Sequence, residues 1–322
     1  MRLQNRVDDE GHGTYGIRAL KKSFTEGKTM IPRFSAECMA CAVARQAQNM
    51  PDVWTDEKRA EYLKGVMKII FDADPSEGAP VVNGKIDILA EKFGIEKRDY
   101  TFIKRDYNLL MLKTAEKLRA KIEKSSDPLA EAIKIARTAN YIDFGTQVKV
   151  TEDELLDLLE KSGEDGLNAS EYGYFRKDIE CADSLVYLTD NCGEIVADML
   201  LIEQLKKLRP DMKITVIVRG MPVINDATME DARMVGMDKI AEVMGNGNGI
   251  AGTSMQDMDE LSLSRLKGAD VVISKGQANF ETLNGCGMNI YYLFLCKCGR
   301  FERRFHMSRL QGVIANDRRL EC

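Results

Sequence analysis

The hydrophobic period of the chain changes near its middle. In the first half, apolar positions recur three and four residues apart, the spacing of one face of a helix. Ser35 can cap a helix running to Asn49 that carries Cys38, Cys41, Ala42 and Ala44. Thr55 can cap a second, with Tyr62, Val66, Ile69, Ile70 and Phe71 along it. Ile86, Ile88, Leu89 and Phe93 mark a third, and residues 100–125 a long fourth, with Leu109, Leu112, Ala115, Leu118 and Ile122 recurring. Pro128 suits the first turn of a fifth, and Thr151 opens a sixth with Leu155, Leu158 and Leu159 on one stripe.

In the second half, short apolar runs alternate with helical stretches. Strands are predicted at 184–189, 213–218, 240–244, 269–274 and 289–295, and helices at 195–208 and 228–235, with a short one after 274. Such alternation implies a parallel sheet covered on both faces. The fold class expected is therefore α/β: a three-layer α/β/α domain with a mostly parallel sheet, plus an N-terminal all-helical domain. The helical domain is placed at 30–150 and the α/β domain at 151–322. The Gly-rich stretch 246–254 reads as a loop near the sheet edge whose backbone can approach a ligand. The basic run around Arg300, Arg303 and Arg304 is at odds with a closing strand there.

In an open parallel sheet, ligands bind beyond the carboxyl ends of the strands, and the residues there are chemically loaded. After the first strand come Asp190 and Asn191, a carboxylate and an amide carbonyl, then Gly193 and Glu194 at a helix start where N–H groups favour an anion. The plain alternative for this segment is a helix cap. After the second strand come Arg219, a possible fork for phosphate, and Asp226. Lys275 ends the next strand, followed by Gly276 and Asn279, and Lys297 follows the last. A solvated surface lysine is the plain alternative for Lys275. The Gly-x-x-x-x-Gly-Lys-Ser/Thr pattern of a P-loop is missing. Oxygen donors from Asp190, Asn191 and Asp226 suit a hard divalent cation such as Mg²⁺ or Mn²⁺, which could orient phosphate and activate water. Arg219, Lys275 and Lys297 could then offset charge on phosphoryl oxygens.

Composition narrows the picture. The 322 residues carry a net charge of -5 and are 44% hydrophobic and 30% charged, an ordinary globular balance without the basic face of a nucleic-acid binder. No apolar run is long enough to span a bilayer, and the first 28 residues lack the apolar core of a secretory signal. A cytoplasmic protein is expected. Met30 reads as the natural start rather than Met1, with residues 1–29 a disordered or wrongly assigned leader. Only two histidines occur, His12 and His306, which rules out a histidine-rich zinc site. The eight cysteines read as reduced thiols. Cys38 and Cys41, one helical turn apart, could join Cys298 in a second metal or redox site; unconnected thiols are the plainer reading.

Asp-Asn-x-Gly-Glu at 190–194, Asn-Asp-Ala-Thr-x-x-Asp at 225–231 and Lys-Gly-Gln-Ala-Asn-Phe-Glu at 275–281, in this order over about residues 30–316, together resemble the damage-control phosphatases, formerly a domain-of-unknown-function family (number 89). Cys38-Met-Ala-Cys41 resembles its Cys-x-x-Cys branch of archaea and bacteria. The resemblance implies a metal-dependent phosphatase acting on small phosphorylated metabolites: sugar phosphates, phosphopantetheine-like compounds or damaged metabolites. It implies a divalent metal (Mn²⁺, Mg²⁺, Ni²⁺ or Co²⁺) on Asp190, Asn191 and Asp226, and substrate contacts from Lys275, Asn279, Lys297 and Arg219. Glu194 matches a position near the site. Asn140 and Asp143 resemble a motif that closes the site from the helical side. Cys192 stands where many relatives have a smaller residue. A non-catalytic phosphometabolite sensor on the same scaffold is the alternative. A nucleotide-dependent transferase is disfavoured, because no Gly-x-Gly-x-x-Gly follows the first strand.

Overall fold

Residues with the predicted caps start helices where the sequence placed them. In the computed structural model, which describes residues 33–141, 153, 157–159, 161 and 166–320, Ser35 Oγ accepts from Cys38 N at the start of α1 (Ala36–Asn49), and Thr55 caps α2 (Asp56–Phe71) in the same way. They are followed by α3 (Ala79–Lys92), α4 (Thr101–Lys124) and α5 (Pro128–Thr138), the last capped by Asp127 with proline in its first turn. A helix the periodicity did not single out, α6 (Ala169–Cys181), is capped by Asn168.

The remainder alternates: β1 (Ser184–Leu188), α7 (Glu194–Leu208), β2 (Lys213–Val218), α8 (Met229–Val235), β3 (Glu242–Gly245), α9 (Glu260–Lys267), β4 (Val271–Lys275), α10 (Gln277–Leu283), β5 (Ile290–Leu295), α11 (Gly299–Phe305) and β6 (Gly312–Asn316). The strand order is β3-β2-β1-β4-β5-β6. Neighbours are parallel up to β5, and β6 closes the edge antiparallel. The basic run is thus a helix, and the closing strand lies beyond it. The expected α/β fold with a mostly parallel sheet is the fold observed.

Both faces of the sheet are buried, as continuous apolar strands require. One face carries Leu185, Tyr187, Val216 and Ile273 against α5, α6, α7 and α8, with α4 outside them. The other carries Val186, Ile217, Val272 and Phe294 against α9, α10 and α11. A third cluster, including Tyr62, Val66, Val82 and Ile86, lies within α1–α3. All described residues belong to one compact unit. The boundary expected near residue 150, the reading of residues 1–29 and most of the helix expected from Thr151 lie outside the described residues. Among those described, no helix is long and apolar enough to cross a membrane.

Phe280 of α10 anchors the second face. Its ring meets Tyr292, Phe294, Phe301 and Phe305 at centroid distances of 4.8 to 5.4 Å, mostly edge-on, the geometry aromatic quadrupoles favour. Phe280→Ala is expected to cost about 3–5 kcal/mol in urea unfolding. A loss under about 1 kcal/mol would show that these rings do not pack as a unit.

Candidate active site

The helices after β1 and β4 lie on opposite faces of the sheet, since α7 joins the first core and α10 the second. The chain therefore diverges between these adjacent strands, and a crevice opens at their carboxyl ends. Asp190 enters it from β1 and Gly276 from β4. Gly276 has φ +80° and ψ 158°, a conformation essentially reserved for glycine. A Cβ there would lie 1.9 Å from Asp190 Oδ2, so glycine is what lets the carboxylate sit against the strand end.

The loop after β2 folds back beside the loop after β1. Ala227 N donates to Asp190 O at 2.8 Å, and Cys192 N to Asn225 O at 2.8 Å. The turn leading in holds Ile224 at φ +43°, a strained conformation for a β-branched residue. This places Asp226 beside Asn191, and Asn225 Nδ2 donates to Asn191 Oδ1 at 2.8 Å. Arg219, at the end of β2, joins the two carboxylates. Its Nε donates to Asp226 Oδ2 at 2.6 Å, and its Nη2 lies 3.9 Å from Asp190 Oδ1. Both carboxylates thus face one guanidinium.

Asn140, in the short turn after α5, reaches the same point from the helical side. Its Nδ2 donates to Asp190 Oδ2 at 2.9 Å and to Glu194 Oε2 at 3.0 Å, and its Oδ1 accepts from Leu295 N at 3.3 Å. Asn191 Nδ2 makes the same pair of bonds, at 2.9 and 3.0 Å. Lys297, half-buried after β5, is near enough for its charge to act on Asp190. Asp143 lies outside the described residues.

Several expectations need correction. The start of α7 offers no free N–H groups to an anion: Asn191 N reaches Glu194 Oε2, Cys192 N reaches Asn225 O, and Gly193 N donates to Asn108 Oδ1 at 2.6 Å. Nor is it capped by a side chain; Gly193, at φ +71°, makes the turn. Arg219 is buried, and three of its N–H groups go to Asp226, Thr253 and Asn279 rather than outward. Asn279 is likewise used on both ends of its amide, by Arg219, Thr253 Oγ1, Thr189 O and Lys275 O. Lys275 is neither solvated nor aimed at the crevice; its ammonium is buried against Glu194, Asp198 and Ala136 O. The Gly-rich loop packs against the loop after β2, where Gly220 leaves no room for a Cβ against Gly247. Among the described residues, no three or more Cys, His, Asp or Glu side chains group to hold a metal. Cys38, Cys41 and Cys298 therefore form no such set. Cys38 Sγ instead accepts from Ser35 Oγ and from Arg300 Nη1 at 3.1 Å. Thr253 and Asp198 joined the site unannounced, and Asn225, known only as part of a motif, gained a partner in Asn191; Asp198 carried one signal, its place one turn after Glu194.

Electrostatics single out the crevice. Asp190, Asp226, Glu194 and Asp198 are four buried carboxylates, matched by two buried cations, Arg219 and Lys275. With all four ionised, negative charge would exceed positive, an excess that a divalent cation could offset and that a proton on Asp190 relieves in its absence. Burial pushes the Asp190 carboxyl well above the usual range, and the charges of Glu194 and Asp226 push it further; Lys297 and Arg219 offset part of this. Asp190 Oδ1 is outside hydrogen-bond reach of Arg219, and Asn191 Oδ1 keeps a second lone pair beyond its bond to Asn225. Asp190, Asn191 and Asp226 therefore fit a hard cation by donor chemistry and by charge. Burial pushes the Cys192 thiol up, so it stays protonated there.

A raised carboxyl pKa means that the folded state holds a proton the unfolded chain releases, so stability falls as pH rises above about 4. In chelator-treated protein, Asp190→Asn is expected to raise Tm at pH 7, with the gain shrinking toward pH 4. Calorimetry across that range checks this, and a variant less stable than wild type at pH 7 would contradict it.

Comparison with known proteins shows the family and the fold. Residues 32–306 match the Damage-control phosphatase ARMT1-like domain. A Damage-control phosphatase of Archaeoglobus fulgidus is 38% identical over 180 residues, spanning 55% of this chain and 61% of that protein. Damage-control phosphatase PH1575 of Pyrococcus horikoshii is 28% identical over 279 residues, spanning 85% of this chain and 94% of that one. The crystal structure of PH1575, described as a DUF89 family protein, superposes with a TM-score of 0.68 at 26% identity, covering 88% of this chain and 98% of that one. The chain is a member of the damage-control phosphatase ARMT1-like family.

Proposed function

We propose that this protein is a metal-dependent phosphomonoester hydrolase acting on small phosphorylated metabolites, sugar phosphates and damaged metabolites among them. The observation that carries the reading is the burial of the Asp190 carboxyl beside Asp226 and Glu194, where burial and like charge outweigh the nearby cations. Family membership and the names of the relatives support phosphatase activity. Asp190, Asn191 and Asp226 would hold the cation, Mn²⁺, Mg²⁺, Ni²⁺ or Co²⁺. Such an ion, when bound, would offset charge on phosphoryl oxygens and lower the pKa of a water molecule.

The chain's own residues supply orientation. Asn140 and the Asn191 amide fix Asp190 Oδ2. Arg219 fixes Asp226 and is itself braced by Thr253 and Asn279. Lys297, half-buried after β5 and close enough for its charge to act on Asp190, would contact the phosphate; its backbone N–H donates to Gln277 Oε1 at 3.2 Å. Gly276 keeps the floor of the crevice low enough for Asp190 to occupy it.

Asp190→Ala is expected to lower Mn²⁺-stimulated release of phosphate from p-nitrophenyl phosphate at least about a hundredfold, with the circular dichroism spectrum unchanged. Wild-type turnover in this variant would overturn the site. Binding of phosphometabolites without phosphate release, seen as thermal stabilisation alone, would turn the reading toward a sensor.

A further inference from the structure

Lys275 ends β4, where a phosphate-binding lysine would stand, yet its side chain runs behind the crevice. Its Nζ donates to Ala136 O at 2.8 Å, Glu194 Oε1 at 2.7 Å and Asp198 Oδ1 at 2.5 Å, with no solvent exposure. An ammonium has three N–H donors, so none remains for a phosphoryl oxygen. Glu194 and Asp198 lie one turn apart on α7, a spacing at which like charges repel. Lys275 stands between them and offsets that repulsion.

Asp198 is held on one oxygen only. Tyr187 OH donates to its Oδ1 at 2.8 Å, while Oδ2 is buried with no hydrogen-bond partner. For the fold alone, apolar residues would often serve such a buried triad as well or better. Its position gives it a use. Glu194 Oε1 takes Lys275, and Glu194 Oε2 takes the amide nitrogens of Asn140 and Asn191, both at 3.0 Å. The same two nitrogens each reach Asp190 Oδ2 at 2.9 Å. A primary amide has two N–H bonds, so both amides are spent as bridges between the carboxylates. They hold Asp190 Oδ2 to the amide side and leave Oδ1 toward Arg219.

We infer that Asp198 and Lys275 are positioning residues for the candidate metal site: they fix Glu194, whose carboxylate aims the two amides that orient Asp190, and Lys275 takes no part in binding phosphate. The inference rests on Asp190, Asn191 and Asp226 being the metal ligands. It separates two roles that activity alone would merge. A lysine that binds phosphate governs the affinity for phosphate; a lysine that orients Asp190 governs the affinity for metal.

The test is titration calorimetry of Mn²⁺ into chelator-stripped full-length protein, paired with inhibition by inorganic phosphate at saturating Mn²⁺. Lys275→Met is expected to weaken Mn²⁺ binding about 10–100-fold, the usual effect of losing an outer partner of a metal ligand, with phosphate inhibition unchanged. Lys275→Met leaves two carboxylates facing each other in the core and can fail to fold. The double variant Lys275→Met/Asp198→Leu removes that repulsion, leaves Glu194 its amide donors, and is expected to show the same loss of Mn²⁺ affinity. Wild-type Mn²⁺ affinity in the folded variants, or weakened phosphate inhibition with Mn²⁺ binding intact, would overturn the positioning role. Wild-type protein that binds no Mn²⁺ would instead overturn the metal-site reading on which it rests.

Discussion

The carboxylate of Asp190 is buried beside other carboxylates, and much of the surrounding structure holds it there. Taking an ionised carboxylate out of water is costly unless hydrogen bonds and opposite charge replace the lost solvation. Two amides meet one of its oxygens, a guanidinium lies near the other, and Lys297 acts from the rim. The shortfall that remains is the driving force for a cation. On the proposed reading, a cation would be drawn to such a site because it relieves the repulsion among buried carboxylates, as well as because oxygen donors converge.

That arrangement needs a rigid frame. The crevice exists because the chain crosses from one face of the sheet to the other between β1 and β4, so the loops after both strands open onto common ground. The loop after β2 is locked to the loop after β1 by backbone bonds and to the Gly-rich loop by the close approach of Gly220 and Gly247. On the helical side, α4 contributes Lys104 and Asn108. Lys104 pairs with Asp231 at 2.6 Å, and Asn108 donates to Asp231 Oδ1 while accepting from Gly193 N. The turn at the start of α7 is thereby fixed from outside the sheet, which leaves its N–H groups committed to the protein.

The helices and strands were largely legible because their signals are local. Ser35, Thr55 and Pro128 announce helix starts within a few residues, and the runs at 184–188, 213–218 and 290–295 are too apolar to lie anywhere but in a covered sheet. Four elements escaped, among them the short helices α9 and α11, of eight and seven residues, too brief to show a helical period. The helix α6 has a weak apolar stripe, with Phe175 and Ile179 as its buried residues, and β6 is a short antiparallel edge strand behind a basic helix. Its pairing with β5 is a long-range event with no mark of its own in the sequence.

By itself the sequence determined which chemical groups stand at the ends of the strands, because a strand end is fixed by the run that precedes it. It placed Asp190, Asn191, Asp226, Arg219, Lys275 and Lys297 at or after the carboxyl ends of strands, where the structure has them. Only the tertiary structure decided where each side chain turned. Lys275 runs inward because Glu194 and Asp198 present charge behind the sheet, and Arg219 lies flat because Asp226, Thr253 and Asn279 take its hydrogens. Asn140 reaches Asp190 from fifty residues away. Those directions depend on hydrogen bonds between segments with no periodic relation to one another, and they are set only when the segments meet.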